Sequence, residues 1–322
     1  MRQQVIGVDI GGTNMRGALV NQDGRITGVH RRPRPEPNGG AGLDEIVNFI
    51  KHIAEEAGLS VNDLAGVGIG IPGWVDHLTG ELVFAPKFAG WQDLNMPSYL
   101  RQRLGCPVYF GCDPHMAALG EWWLGAGRGR SNFVMVTIGT GIGCGIVING
   151  KLYTGHHGFA PELGHTLVAD AVETTCSCGT PGCLESLTAG PALAHAGREA
   201  ARAGRSPRLL ALAGGEADQI TAETVVAVAR EGDPAAVQIL DRAGRLLGRA
   251  CANLVTLLEP ECIVVGGGLS SVGELLLTPM RQAMEKESYL ISRGYVRVDL
   301  VKAKLLDDAG MAGAAFLAFG GG

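Results

Sequence analysis

Apolar positions in this chain fall into two periods, and the switches between them outline its elements. Val5-Ile6-Gly7-Val8-Asp9 opens a run that breaks at Gly11-Gly12-Thr13 and resumes from Met15 to Val20, which reads as strand, glycine turn, strand. The alternation continues over 25–30, predicting an antiparallel meander of three strands. After a Pro/Gly-rich linker at 33–42, Leu43, Ile46, Val47, Ile50, Ile53, Ala54 and Ala57 follow the helical period, and Gly58 ends it. Residues 67–74 read as a buried strand entering a turn where Gly73 brings main chain close to a neighbour. Phe84 to Lys87 and Trp91 belong to an irregular segment, the kind of loop on which substrates are met.

A short strand at 107–110 runs through Gly111 and Cys112 to Asp113, and a helix is predicted over 116–124. Residues 133–148 repeat the strand, glycine turn, strand logic of the N-terminus. Helices are predicted over 192–202, 221–230 and 235–258, the last with Gly244 and Gly248 four apart, a spacing that suggests close helix packing. A buried strand at 262–265 then enters Gly266-Gly267-Gly268. A helix at 273–285, a strand at 296–301 and a closing helix at 309–319 complete the chain.

At 322 residues, two domains of ordinary size are expected. With 46% hydrophobic and 18% charged residues there is material for packed cores, which argues against disorder. A formal charge of −5 argues against a nucleic-acid partner, whose phosphates call for a basic footprint. No apolar run reaches membrane-spanning length, and the opening reads as a strand rather than a secretion signal. A cytosolic, reducing location is therefore expected.

That location bears on the cysteines. Cys176, Cys178 and Cys183, preceded by His165, form a Cys3His set of the type that tetrahedral Zn²⁺ prefers. A buried thiol cluster or disulfide is the other reading, and in a reducing compartment clustered cysteines are more often metal ligands. Four protein ligands would make the site closed and structural. Glu162 lies three residues before His165, so one helical turn started by Pro161 would place both on one face. Glu185 lies two residues past the last thiol. Carboxylates clamped beside such a knuckle suit sugar hydroxyls, which need acceptors of fixed direction.

The glycine turns read as anion sites. Gly11 and Gly12 let backbone N–H groups point into a concave site, Thr13 and Asn14 add polar contacts, and Asp9 can meet a cation or its water shell. An isolated DxGGT is also compatible with an ordinary hairpin turn. Asp113, between a strand end and a helix, suits either chemistry or an N-cap.

The ordered set DIGGTNMR, GIGIPGWVD, the segment around Asp113 with AALGE behind it, TIGTGIGCGIV, ELGH, CSCGTPGCLE and VVGGGLS resembles the ROK family of sugar kinases and repressors nearly end to end. The resemblance implies an α/β, two-domain actin-like sugar-kinase (ribonuclease H-like) fold with an active-site cleft between domains and a zinc knuckle. Residues 1–118 would form the first domain, joined by a closing helix at 306–322, and 119–305 the second, with the zinc segment at 162–185. It further implies ATP and Mg²⁺ as cofactors beside structural Zn²⁺. Asp9, Gly11, Gly12 and Thr13, with Asn14 and Arg16, would form the first phosphate loop, Gly139, Thr140 and Gly141 the second, and Gly267 and Gly268 would approach adenosine. Asp113 aligns with the general base that takes the proton of the attacking sugar hydroxyl. Glu162, His165 and Glu185, with Gly73, Lys87 and Cys112, match the sugar-binding positions.

Two departures stand out. Where many relatives read Asn-Asp-Ala-Asn, this chain reads Cys112-Asp113-Pro114-His115, and a thiol is a weak donor and poor acceptor. Lys87 stands where many carry Asn. The expected activity is phosphorylation of glucose at its 6-hydroxyl. The alternatives are an N-acetylmannosamine, N-acetylglucosamine or fructose kinase, and a sugar-binding protein without catalysis. Repressors of the family carry a helix-turn-helix ahead of the first strand, where this chain has four residues, so DNA binding fits poorly. A homodimer or homotetramer is implied.

Overall fold

The computed structural model describes residues 4–36, 39–76, 81–85, 91, 95–169 and 175–321. The chain divides into two compact units. The first comprises Met1–Met135, Gly145–Pro161 and Ala303–Gly322, and the second Val136–Cys144 and Glu162–Lys302.

In the first unit β1 (Gln4–Ile10), β2 (Asn14–Asn21) and β3 (Ile26–Pro33) form the meander, with β1 and β2 antiparallel from Gln4↔Asn21 to Ile10↔Met15. After α1 (Gly40–Glu56), β4 (Gly66–Ile71) joins parallel to β1. Beyond the turn at Gly73 lies a small hairpin, β5 (Trp74–Val75) with β6 (Leu82–Phe84), of which only Phe84 belongs to the segment read as irregular. It is followed by α2 (Met96–Leu104), β7 (Val108–Cys112) parallel to β4, and α3 (Asp113–Trp123). The sheet order is β3-β2-β1-β4-β7. Helix α2 escapes pattern reading because only Met96, Pro97, Leu100 and Leu104 are buried, too short a stripe to show a period. A domain boundary at 118 falls inside α3, which the structure keeps whole in the first unit.

Residues of period two explain how this sheet is covered. Val67, Ile69 and Ile71 of β4 enter the core built with α1, alongside Ile46, Phe49 and Ile50. The alternate residue Gly68 faces α11 (Ala309–Ala318), and a Cβ there would collide with the Ala314 carbonyl. Glycine on the strand therefore lets helix backbone lie directly on sheet backbone. Gly313 does the same for α11 against Met116 of α3.

The second sheet has the order β10-β9-β8-β11-β12, drawn from β8 (Phe133–Ile138), β9 (Ile142–Ile148), β10 (Lys151–Tyr153), β11 (Cys262–Gly266) and β12 (Asp299–Lys302). Its order repeats that of the first sheet, as expected of two related halves. The strand expected at 296–301 is paired only from Asp299, opposite Cys262. The helices of the second unit are α4 (Leu184–Thr188), α5 (Gly190–Arg202), α6 (Pro207–Leu212), α7 (Ala222–Arg230), α8 (Pro234–Leu258), α9 (Glu274–Glu287) and α10 (Tyr289–Ser292). Gly244 and Gly248 of α8 lie against α9, where added Cβ atoms would stand 2.6 Å from the Pro279 ring and 2.7 Å from the Ala283 methyl. Among the described residues no helix is long and apolar enough to cross a membrane.

Candidate active site

In the first unit, strand β1 delivers Asp9 to the edge of the glycine turn. The backbone of that turn is held from behind, because Arg34 donates its amide to the Thr13 carbonyl (2.8 Å) and its Nε to the Gly12 carbonyl (3.0 Å). With both carbonyls turned to Arg34, the Gly12 and Thr13 amides donate to no protein acceptor among the described residues. This is the polarity an anion site requires. Asp9 packs beside Gly310, where any side chain would meet its carboxyl carbon at 2.8 Å. Burial pushes Asp9 from 3.8 up to about 6; Arg16 opposes the rise and Asp307 adds to it. Arg16 reaches Asp308 at 2.8 Å and Asp307 at 3.2 Å. These two acidic partners just ahead of α11 went unread in the sequence because they lie nearly the whole chain away.

Asp113 is the first residue of α3 and exposed, with Cys112, at φ −72° and ψ 149°, in the N-cap place. The cap position belongs to the thiol residue, leaving the carboxylate at the mouth of the helix, where the dipole favours its charge. His115, one turn into the helix, is 2% exposed and belongs to the interior. Gly73 adjoins the β5–β6 hairpin, and a Cβ there would stand 2.6 Å from the Phe84 carbonyl. Lys87 lies outside the described residues.

In the second unit, Gly139, Thr140 and Gly141 turn between β8 and β9, with the Gly139 amide closing on the Gly141 carbonyl at 2.9 Å. A cavity of about 780 Å³ opens from Gly139 and Thr140. It is walled by Ala194 and Arg198 of α5, Val226 and Arg230 of α7, and Gly268, Leu269, Ser271 and Val272 beyond β11. Its apolar sides, glycine loop at one end and peripheral polar groups suit a nucleoside with phosphates. Gly268 lines this space and has room for a side chain, whereas Gly267, at φ +81°, is pressed against the Ile138 backbone of β8. Arg198, Arg230 and Glu223 were not singled out from sequence, where they read as polar positions of amphipathic helices. Arg230 is fixed by a bond to the Ser271 carbonyl (2.8 Å). A hydrogen bond from Thr221 holds the Glu223 carboxyl below its usual range, so it is an ionised acceptor at neutral pH.

The expected helical turn at 162–165 is a 3-10 turn, Leu163–His165, preceded by Glu162 rather than started by Pro161. Glu162 and His165 still meet, with His165 Nε2 3.9 Å from a Glu162 oxygen. The other ring nitrogen, Nδ1, is 3.5 Å from the Cys176 sulfur, and the Cys178 and Cys183 sulfurs are 3.6 Å apart. All four donor atoms lie within 4.8 Å of one another. Zn–S and Zn–N bonds of about 2.3 and 2.0 Å give tetrahedron edges of about 3.5–3.8 Å, so the set fits such an ion. Donors from Thr180 lower the Cys178 thiol to about 6, while burial pushes Cys183 up to about 12. A fully buried thiol among converging donors is a group that a cation would deprotonate.

Immediately after Cys183, α4 presents Glu185, whose Oε2 accepts the Ile142 amide at 2.9 Å. A side chain at Gly141 would stand 2.6 Å from that oxygen. Glu185 thereby ties the cysteine knuckle to the glycine loop at 139–141, a link that residue spacing did not show.

The chain matches the ROK family model over residues 5–320. It is 36% identical to a glucokinase of Thermotoga maritima over 315 residues, 97% of this chain and 96% of the relative. It is 30% identical to an N-acetylmannosamine kinase of Shigella flexneri over 98% of both chains. A ROK family glucokinase from Streptomyces griseus, solved in complex with glucose and AMPPNP, superposes with a TM-score of 0.82 at 36% identity, covering 99% of this chain and 100% of that one. With a family match over residues 5–320 that spans both units, and relatives at 36% identity along nearly the whole chain, this chain belongs to the ROK family.

Proposed function

We propose that this protein is an ATP-dependent hexose kinase that phosphorylates glucose at its 6-hydroxyl. The observation that carries the reading is the Streptomyces griseus glucokinase, matched over 99% of this chain, whose structure holds glucose together with AMPPNP. The chain's own residues supply the parts such a reaction uses. Asp113, at a helix N-terminus, accepts the proton of the attacking hydroxyl. The outward amides of Gly12 and Thr13 and the loop Gly139, Thr140 and Gly141 bind phosphate oxygens, with Asn14 and Arg16 in the same set. The cavity at Gly268, with Gly267 shaping its edge, takes the nucleoside. Glu162, His165 and Glu185 accept and orient sugar hydroxyls, with Gly73, Cys112 and Lys87 completing that set.

Mg²⁺, when bound, neutralises charge on the β- and γ-phosphates, and Asp9 is the carboxylate placed to meet it or its water shell. Structural Zn²⁺ would be held by His165, Cys176, Cys178 and Cys183, and with Nδ1 facing the Cys176 sulfur the His165 Nε2 would be left for the sugar side. The protein works in the cytosol, as a homodimer or homotetramer, and sedimentation tests the assembly.

The test is steady-state ATP turnover with a sugar panel. Glucose should give the highest kcat/KM. A kcat/KM for N-acetylmannosamine, N-acetylglucosamine or fructose about tenfold above that for glucose would overturn the substrate assignment.

The second reading, an N-acetylhexosamine kinase, is favoured by one observation, the thiol of Cys112 at the cap of α3. Replacing an amide by a thiol removes one neutral hydrogen bond, worth about 0.5–1.5 kcal/mol. On the glucose reading Cys112→Asn lowers the glucose KM roughly three- to tenfold with kcat little changed. On the second reading it improves glucose and abolishes N-acetylhexosamine turnover. Unchanged kinetics with both sugars would remove Cys112 from the site.

A further inference from the structure

Helix α5 separates two spaces. Its face bearing Ala194 and Arg198 walls the nucleotide-sized cavity, and the face bearing His195 and Glu199, about 100° further round the helix, lines a second groove of about 570 Å³. The groove is closed on its other sides by Ser186 and Leu187 of α4 and by the α8 face carrying Gln238, Ile239, Arg242 and Arg245. Nothing in the proposed phosphoryl transfer uses it.

Its charge is unusual for this acidic chain. The neighbouring arginines are neutralised, Arg202 by Glu199 and Asp218, Arg208 by Glu231, Arg245 by Asp241 and Arg249 by Glu287. Arg205 and Arg242, both in the groove lining, make no side-chain hydrogen bond or ion pair among the described residues. Glu199, the single acid of the lining, is already taken by Arg202 at 3.0 Å. Two uncompensated guanidinium groups share this lining with apolar Leu187, Leu193 and Ile239 and with polar Gln238 and Ser186, a set that suits a small phosphate monoester. Its phosphate would meet the arginines and its hydroxylated body the polar rim. The lining has no Phe, Tyr or Trp on which a nucleobase could stack.

We propose that this groove is a regulatory site for a sugar phosphate, acting through α4 and α5. Both helices present their other side to the reaction machinery. Glu185 of α4 holds the Ile142 amide, and the Gly190 amide at the start of α5 holds the Gly139 carbonyl at 2.8 Å. A ligand that shifts either helix moves the glycine loop and the nucleotide wall, and coupling of this kind commonly changes affinity about 5- to 150-fold. The regulatory part rests on the kinase reading. The binding part does not.

The experiment uses the full-length protein and glucose 6-phosphate as probe, with inorganic phosphate as a second probe. Calorimetry with saturating glucose and AMPPNP present should still show glucose 6-phosphate binding, and the paired change Arg205→Glu with Arg242→Glu should weaken it at least about tenfold. Inhibition of turnover by glucose 6-phosphate should have a component noncompetitive with glucose, which the paired variant loses while basal kcat and both KM values stay within about twofold. The gentler pair Arg205→Gln with Arg242→Gln should give a smaller loss in the same direction. Binding abolished by saturating glucose and AMPPNP, binding untouched by either pair, or inorganic phosphate binding as tightly as glucose 6-phosphate would overturn the proposal. So would dissociation of an oligomer by the charge-reversed pair in a protein that binds no sugar phosphate, which would make the groove a subunit interface. If no sugar is phosphorylated yet calorimetry shows arginine-dependent binding, the kinase reading fails and the site stands.

Discussion

Asp113 occupies the first residue of α3, with Cys112 in the cap position. Asp113→Asn keeps shape and removes the proposed proton acceptor. Calorimetric sugar binding should remain within a few-fold and turnover should fall about 10²-fold or more, the scale of a lost general base. Unchanged turnover would return Asp113 to a structural role. Asp9 gives a prediction of opposite sign in stability and activity. Its folded value near 6 exceeds the ordinary 3.8, so the folded state binds its proton more tightly than the unfolded state. The stability this group contributes is present below pH 3.8, is lost as pH rises towards 6, and is absent above that. In metal-free protein at pH 7.5, Asp9→Asn should therefore raise the Tm by a few degrees and flatten its fall between pH 4 and 6. If Asp9 meets the cation as proposed, turnover should drop about 10²-fold, the scale of a lost electrostatic contact in a reaction site. A lower Tm at pH 7.5 would refute the burial argument.

At the scale of elements, the cysteine knuckle, the short helix α4 and the glycine loop at 139–141 act as one lever. The knuckle fixes where α4 begins, α4 fixes Glu185, and Glu185 holds the loop through the Ile142 amide. Elemental analysis of purified protein should find about one Zn²⁺ per chain, the stoichiometry of one tetrahedral Cys3His set. Cys178→Ser should lower zinc content, melting temperature and kcat together, because an exposed ligand is lost without disturbing a core. Less than about half an equivalent of zinc, with all three thiols titratable in the native protein, would exclude the site. Kinetics of the zinc-depleted protein should show a raised ATP KM, since the loop that loses its anchor is the one proposed to bind phosphate.

At the scale of the whole molecule, glycines set how closely backbones approach, and they divide into packing and functional classes. Gly68→Ala drives a methyl into the Ala314 carbonyl of α11, so it should destabilise by about 1–3 kcal/mol or more, read as a lower urea midpoint at unchanged m. A methyl added in Gly268→Ala meets nothing within 4 Å, and the residue lines the cavity proposed to take the nucleoside. Stability should stay within about 0.5 kcal/mol while the ATP KM rises. Glu121 adds a long-range tie of the same scale. Fully buried, it accepts amides from Ala126 (2.7 Å), Lys304 (3.1 Å) and Leu305 (2.6 Å), joining the helix that starts at Asp113 to the approach to α11.

What the sequence determined by itself was the local chemistry. The strands and long helices follow from periods of 2 and 3.6, because burial of one face imposes that spacing wherever the element packs. The cysteine set was legible because its four ligands fall within 19 residues, so chain geometry alone brings them near one another. The short helix α2, the hairpin of β5 and β6 and the start of β12 were not, since a few residues carry too little period to be read. Tertiary structure alone decided the partners of Arg16, the anchoring role of Glu185, the buried Glu121 and the walls around Arg198 and Arg230. Each joins groups that are distant along the chain, and in sequence an arginine with a distant carboxylate looks the same as one left uncompensated. The difference between Arg208, paired with Glu231, and Arg205, paired with none among the described residues, exists only once the helices have packed.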